Sequence, residues 1–119
     1  MTHVLVIDDE EMVRKTIKMI LEKVGFEVSL AGNGKQGMEM VVSRPPELII
    51  TDMIMPEMDG VEAYRRIHAA RPELPVVIVT GHTESDLMLK VLEIGPFTVL
   101  QKPLDIQKFR KVIDLIVGA

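Results

Sequence analysis

Asp52 carries the strongest signal for chemistry in this sequence. It follows Leu48–Thr51, a short run of apolar and β-branched residues that is typical of a buried strand. Pro56 and the pair Asp59-Gly60 then predict a turn before any helix begins. In open α/β sheets, ligands and reactive groups collect at the C-terminal ends of the strands. We therefore interpret Asp52 as the candidate reactive group.

Polar side chains also follow three other strand-like runs. They are the carboxylates of Asp8 and Asp9, the hydroxyl of Thr80 and the ammonium of Lys102. In one parallel sheet all of them would lie with Asp52 at the same edge. Two carboxylates about 5 Å apart repel each other by about 3 kcal/mol at an effective dielectric near 20. A cation is therefore expected among the three acids.

The residue types at this edge favour phosphoryl chemistry with a hard cation. Oxygen ligands without His or Cys favour Mg²⁺, which binds through one or two carboxylates and keeps several waters. Lys102 would add a fixed positive charge, and Thr80 a hydroxyl donor. A carboxylate nucleophile with such neighbours has the parts needed to accept a phosphoryl group, because the positive groups stabilise charge on the equatorial oxygens.

The elements that must position these residues alternate along the chain. Five apolar runs alternate with segments of helical periodicity, which predicts five strands and five helices in one α/β domain over residues 1–119. The strands are predicted at 4–7, 26–30, 48–51, 76–80 and 97–101. Among the apolar residues at helical spacing, we expect Met38, Val41 and Val42 of the second helix, Val24 of the first and Leu92 of the fourth to be buried. His3 and His68 are expected at the surface.

Such alternation implies right-handed crossovers and a parallel sheet with helices on both faces. The expected architecture is a flavodoxin-like (βα)5 doubly wound sheet with strand order 2-1-3-4-5. Its switch point lies between the first and third strands, where Asp8, Asp9 and Asp52 would converge.

Five motifs occur in order on these elements. They are Asp8-Asp9, Asp52 with Met55-Pro56, Asp59-Gly60, Thr80 and Lys102-Pro103. Together they resemble the receiver domains of two-component response regulators over the whole chain. The resemblance implies that a sensor histidine kinase or a phosphotransfer protein phosphorylates Asp52.

The resemblance also implies roles for the neighbours of Asp52. Asp8, Asp9, Asp52 and the backbone of Met53 would hold Mg²⁺, and Thr80 and Lys102 would bind the phosphoryl oxygens. The peptide bond between Lys102 and Pro103 would be cis.

Phosphorylation adds about -1.5 to -2 charge and three acceptor oxygens, which could favour one position of the Thr80 loop. The change would then spread to the face formed by the fourth helix, fifth strand and fifth helix. One position departs from the family: Val99 stands three residues before Lys102, where an aromatic switch residue is common. Phe97, on the same strand face, is a candidate for part of that packing role.

Composition excludes several other functions. The net charge of -4 gives no reason to expect direct nucleic-acid binding. No apolar run is long enough for a membrane span, and the absence of cysteine fits a cytoplasmic protein. The expected partners, besides the phosphoryl donor, are a downstream protein or a fused effector domain, with the chain a monomer or a phosphorylation-dependent dimer.

The fold class is compatible with two alternatives to a phosphoaccepting signalling domain. A flavodoxin-like cofactor binder is disfavoured because four acids follow the first strand, where a flavin phosphate would be repelled. A phosphorylation-independent interaction module of the same fold stays open because of Val99. In the leading interpretation the chain is not an enzyme for a separate substrate, and it catalyses only its own phosphorylation and dephosphorylation.

Overall fold

The computed structural model of the chain describes residues 2–52, 60–81, 89, 92–93, 95 and 98–117. Within them, five parallel strands form one sheet in the order β2-β1-β3-β4-β5. Strands β1 to β5 are His3–Ile7, Glu27–Ala31, Leu48–Thr51, Val76–Thr80 and Thr98–Gln101. The predicted flavodoxin-like strand order is confirmed.

Four helices lie in the part of the chain that the structure describes. They are α1, Glu11–Lys23; α2, Gly34–Ser43; α3, Gly60–Ala70; and the C-terminal helix, Ile106–Val117. Most of the fourth helix predicted from the sequence lies outside the described residues. Leu92, which was expected to be buried there, is 55% exposed, so that expectation is wrong.

The core divides into two layers because successive side chains of a strand point to opposite faces of the sheet. Leu5 and Ile7 of β1 pack on one face with Tyr64 and Ile67 of α3. Val4 and Val6 pack on the other face, where α1 and the C-terminal helix contribute buried residues. These residues of the second layer are Ile17, Ile20, Leu21, Phe109 and Ile113.

The end of α1 explains why β2 begins one residue later than predicted. Gly25 has a positive φ of 96° and its N–H donates to the carbonyl of Glu22, while the N–H of Phe26 donates to the carbonyl of Leu21. This pair of bonds is a Schellman motif, and it uses Phe26 to close the helix. Val24 is the C-cap and is 42% exposed, so its expected burial is wrong because it lies past the last full turn.

Helix α2 approaches the sheet through glycine. Its buried residues are Gly34, Gly37 and Val41, and a Cβ built on Gly37 would lie 2.5 Å from Cδ1 of Ile7 in β1. The predicted burial of Val42 is wrong, since it is 79% exposed. The helix is rotated so that its glycines, rather than its largest apolar side chains, face the strand.

His3 was expected at the surface and is instead buried at 6% exposure. It begins β1, a central strand with β2 on one side and β3 on the other. Its Nε2 lies 2.7 Å from Oγ of Ser29, and its carbonyl accepts a hydrogen bond from the N–H of Glu47. A residue at the start of a central strand is therefore covered by the neighbouring strands.

Candidate functional site

Asp8 and Asp52 lie side by side at the C-terminal edge of the sheet. The register of β1 and β3 pairs Ile7 with Thr51, and each acid is the next residue of its chain segment. The N–H of Asp52 donates to the carbonyl of Ile7 at 3.0 Å, and the N–H of Asp8 donates to the carbonyl of Ala31 at 3.1 Å. Both acids are buried, at 2% and 5% exposure.

Lys102 contacts both acids from the end of β5. Its Nζ lies 3.1 Å from Oδ2 of Asp8 and 2.9 Å from Oδ2 of Asp52. A third carboxylate, that of Glu10, places Oε1 at 2.8 Å from the same ammonium. The peptide bond between Lys102 and Pro103 is cis, as the resemblance implies. The site therefore contains a positive charge supplied by the chain itself.

Hydrogen bonds from the start of α1 fix the orientation of Asp8. Its Oδ1 accepts from the N–H of Glu10 at 2.8 Å, and its carbonyl accepts from Nη1 of Arg14 at 2.6 Å. The carboxylate therefore presents Oδ2 toward Lys102 and the centre of the site.

The charges of the site affect one another. Burial raises the pKa of the Asp8 carboxyl, and the hydrogen bonds from the Glu10 N–H and from Lys102 oppose this rise without cancelling it. Burial disfavours the charged form of Lys102, but hydrogen bonds to Glu10, Asp52 and Asp8 outweigh burial and raise the pKa of the ammonium. Lys102 therefore stays protonated at neutral pH.

Four acids in this region could share a metal ion. Asp8, Asp9, Glu10 and Asp52 each offer a carboxylate oxygen, and these oxygens all lie within 4.8 Å of one another. An oxygen-only ligand set fits a hard divalent cation such as Mg²⁺. Asp8 and Asp52 are buried whereas Asp9 and Glu10 are exposed, so a cation here would contact both protein and solvent.

The other predicted site residues are placed as follows. Thr80 ends β4 and is fully buried, and its carbonyl accepts a hydrogen bond from the N–H of Lys102 at 2.8 Å. Met53 and Phe97 lie outside the described residues. Val99 is partly buried and packs against the core layer that contains Leu5 and Ile7.

Sequence reasoning missed Glu10 as a member of the site. It follows Asp8 and Asp9 directly, and it occupies the N-cap of α1, where Ser, Thr, Asp or Asn is preferred. The long acid at a capping position was the signal that could have found it.

The comparison with known families decides the identity of the fold. A sequence profile described as "Response regulator receiver domain" matches residues 4–114. The chain belongs to this family. As a receiver domain it has a role in signalling. No helix among its described residues is long and apolar enough to cross a membrane.

Individual relatives agree with the receiver-domain assignment. The domain is 31% identical over 110 residues to Sporulation initiation phosphotransferase F of Bacillus subtilis. The match covers 92% of this chain and 89% of that protein. A crystal structure of a response regulator receiver domain protein from Clostridium thermocellum superposes with a TM-score of 0.90 at 32% identity. The match covers 99% of this chain and 95% of that one.

Other relatives of this receiver domain are much longer. It is 32% identical over 115 residues to the DNA-binding transcriptional regulator NtrC of Escherichia coli, a match that covers 97% of this chain. The match covers 24% of NtrC, and a similar match covers 24% of Regulatory protein AtoC from the same organism. The chain thus spans about a quarter of the length of these two relatives.

Proposed function

We propose that Asp52 is the phosphoacceptor of this receiver domain and that the donor is a sensor histidine kinase or a phosphotransfer protein. The observation that carries the proposal is the contact of Lys102 with both Asp8 and Asp52. A buried carboxylate beside a second acid and a fixed ammonium is suited to attack phosphorus and then to bear the product. The domain spans residues 1–119 in this proposal.

In the transfer step, an Oδ of Asp52 forms a bond to phosphorus while the bond from phosphorus to the donor nitrogen breaks. The donor imidazole leaves with the electron pair of that bond. Asp8, Asp9, Asp52 and the Met53 carbonyl would hold Mg²⁺, which supplies positive charge to the phosphoryl oxygens. Lys102 adds its ammonium beside the same oxygens, because its Nζ is already 2.9 Å from Oδ2 of Asp52.

The new phosphoryl group would change the end of β4 and its surroundings. It brings about -1.5 to -2 charge and three acceptor oxygens. The backbone N–H of Lys102 donates a hydrogen bond to the carbonyl of Thr80. A movement of Lys102 toward the phosphoryl oxygens therefore acts on β4, β5 and the segment between them. The output face comprises that segment, β5 and the C-terminal helix.

The binding partner of that face is a downstream protein or an effector domain in the same polypeptide. The relatives support both arrangements, since the chain covers 89% of Sporulation initiation phosphotransferase F and 24% of NtrC. We place the domain in the cytoplasm as part of this proposal, because its sequence has no cysteine for an oxidising compartment to pair.

Mass spectrometry after incubation with acetyl phosphate and Mg²⁺ tests the proposal. The unaltered chain should gain one phosphoryl group, and the gain should disappear with EDTA or in Asp52→Asn. Asp114→Asn is the matched control because it makes the same change at an exposed position of the C-terminal helix. A gain that persists in Asp52→Asn would assign the acceptor elsewhere. No gain at any Mg²⁺ concentration would favour the phosphorylation-independent interaction module.

A further inference from the structure

Glu10 occupies the N-cap of α1 but does not cap it. Its backbone has the extended φ and ψ of -88° and 110° expected at an N-cap, yet its side chain makes no cap hydrogen bond. Glutamate is not among the residues preferred at this position, since a shorter side chain closes the cap more readily. The carboxylate instead contacts Lys102, which is 92 positions away in the sequence, at 2.8 Å. The Glu10 side chain therefore contacts the site and makes no cap hydrogen bond to the helix.

Lys102 and a divalent cation need the same oxygens. Its ammonium contacts Oδ2 of Asp8 and Oδ2 of Asp52, the buried carboxylates of the acid cluster. A cation that binds both carboxylates must therefore displace the ammonium from at least part of this contact. Glu10 provides a third contact on the solvent side, where its side chain is 59% exposed.

We propose that Glu10 is a positioning residue that holds the Lys102 ammonium aside while a divalent cation binds Asp8 and Asp52. The inference rests on the proposed function, because it concerns the same cation site. With Glu10 present, Lys102 keeps a counter-ion when Asp8 and Asp52 bind the cation instead of the ammonium. Without Glu10, the ammonium keeps Asp8 and Asp52 as its partners among the residues that the structure describes, and it competes with the cation for them.

Glu10 also keeps Lys102 close to the place where it is needed next. After phosphoryl transfer, the oxygens on Asp52 carry more negative charge than the single carboxylate of Glu10. The ammonium then exchanges Glu10 for the phosphoryl oxygens with a short movement of its side chain. The contact with Glu10 thus leaves Asp8 and Asp52 available to the cation and keeps Lys102 close to the phosphoryl group.

The test is the affinity for Mg²⁺, measured by isothermal titration calorimetry at a temperature where every variant is folded. Glu10→Gln removes the contact with almost no change in shape. Glu11→Gln is the matched control, because Glu11 is adjacent and equally charged but pairs with Lys15 on the exposed side of α1. Both substitutions are also made in a Lys102→Met background, where there is no ammonium to hold.

We expect Glu10→Gln to weaken Mg²⁺ binding about tenfold and Glu11→Gln to weaken it by about twofold or less, since an exposed charge is largely screened. In the Lys102→Met background the two substitutions should have equal effects. In metal-free protein, the NMR resonances of the Lys102 ε-methylene should shift in Glu10→Gln and stay in place in Glu11→Gln.

Equal effects of the two substitutions in the presence of Lys102 would overturn the inference. A tenfold loss that persists in Lys102→Met would also overturn it, by making Glu10 a direct ligand or a simple charge. Both of those results leave the proposed function intact. A failure of the unaltered chain to bind Mg²⁺ would overturn the inference and the proposed cation site together.

Discussion

The ammonium of Lys102 lies 2.9 Å from Oδ2 of Asp52, although 50 positions separate the two residues and a whole strand, β4, lies between their strands. Two buried acids at one edge of a sheet would be costly without a neighbouring cation, because an uncompensated buried charge loses its hydration. Lys102 supplies such a charge from within the chain itself. The contact therefore has a role in stability as well as in phosphoryl transfer.

Lys102→Met should lower the free energy of unfolding by about 2–3 kcal/mol in EDTA, because Asp8 and Asp52 lose their counter-ion. Saturating Mg²⁺ should recover much of this loss by binding only the folded state. Urea unfolding with and without Mg²⁺ measures both effects. Lys15→Met is the control, since its exposed pair with Glu11 is expected to contribute about 0.5 kcal/mol or less. Equal losses in the two variants would show that the contact with the buried acids does not stabilise the fold.

Asp8→Asn should stabilise the metal-free domain at pH 7 by about 1 kcal/mol, or roughly 4 °C in the midpoint of thermal unfolding. The pKa of Asp8 is raised in the folded state above its ordinary value of 3.8, so ionised Asp8 opposes folding above that raised pKa. The asparagine keeps an oxygen for the Glu10 N–H and carries no charge.

The advantage of Asp8→Asn over the unaltered chain should shrink as the pH falls through the folded-state pKa of Asp8 toward 3.8, because both proteins are then neutral at this position. Thermal unfolding in EDTA across this pH window measures it. Asp114→Asn, the same substitution at an exposed position, is the control. An Asp8→Asn protein that is less stable at pH 7 would contradict the expectation.

Phe109→Ala should lower the free energy of unfolding by about 3–5 kcal/mol, because it empties a fully buried position between the C-terminal helix and the sheet. Leu115→Ala lies on the same helix but at 75% exposure, and it should change stability by about 0.5 kcal/mol or less. Urea denaturation of both variants measures the difference. Similar values would mean that this helix does not pack on the sheet through Phe109.

Asn33→Ala should lower the free energy of unfolding by about 1 kcal/mol. Oδ1 of Asn33 accepts a hydrogen bond from the N–H of Gln36 at 2.8 Å and so caps α2. The Gln36 side chain accepts the N–H of Gly32, so the substitution removes one of two hydrogen bonds that join Gln36 to the residues before the helix. Lys35→Ala, at an exposed position of the same helix, is the control for thermal unfolding. If Lys35→Ala is as destabilising as Asn33→Ala, the cap is not the cause.

Much of this arrangement was predictable because its signals are local. The strands β3 and β4 have the predicted bounds, since each is a continuous apolar run closed by a polar residue or a turn. The strand order then brings the residues that follow β1, β3 and β5 to one edge of the sheet, which is why Asp8, Asp52 and Lys102 meet as expected. The assignment of Asp52 as phosphoacceptor stays a prediction for the phosphorylation experiment.

Several errors arose where a contact between distant elements overrides the local pattern. Val42 is exposed because Gly37 places the backbone of α2 against Ile7, a choice that hydrophobicity alone does not show. His3 is buried because two strands flank it. In the sequence Glu10 is one of several acids at a helix start, and nothing local indicates its partner, because Lys102 lies 92 positions further along the chain.

The distance between the backbones of Asp8 and Asp52 is set by the spacing between neighbouring strands of the sheet. Neighbouring strands lie about 4.8 Å apart, and the bond from the N–H of Asp52 to the carbonyl of Ile7 continues the pairing of β1 and β3 past their last paired residues. The backbones of the two acids therefore cannot separate to relieve their repulsion. Positive charge placed between the two carboxylates relieves this repulsion, and both Lys102 and a divalent cation can supply it. The hydrogen-bond ladder therefore couples the position of the lysine to the ion that binds beside it.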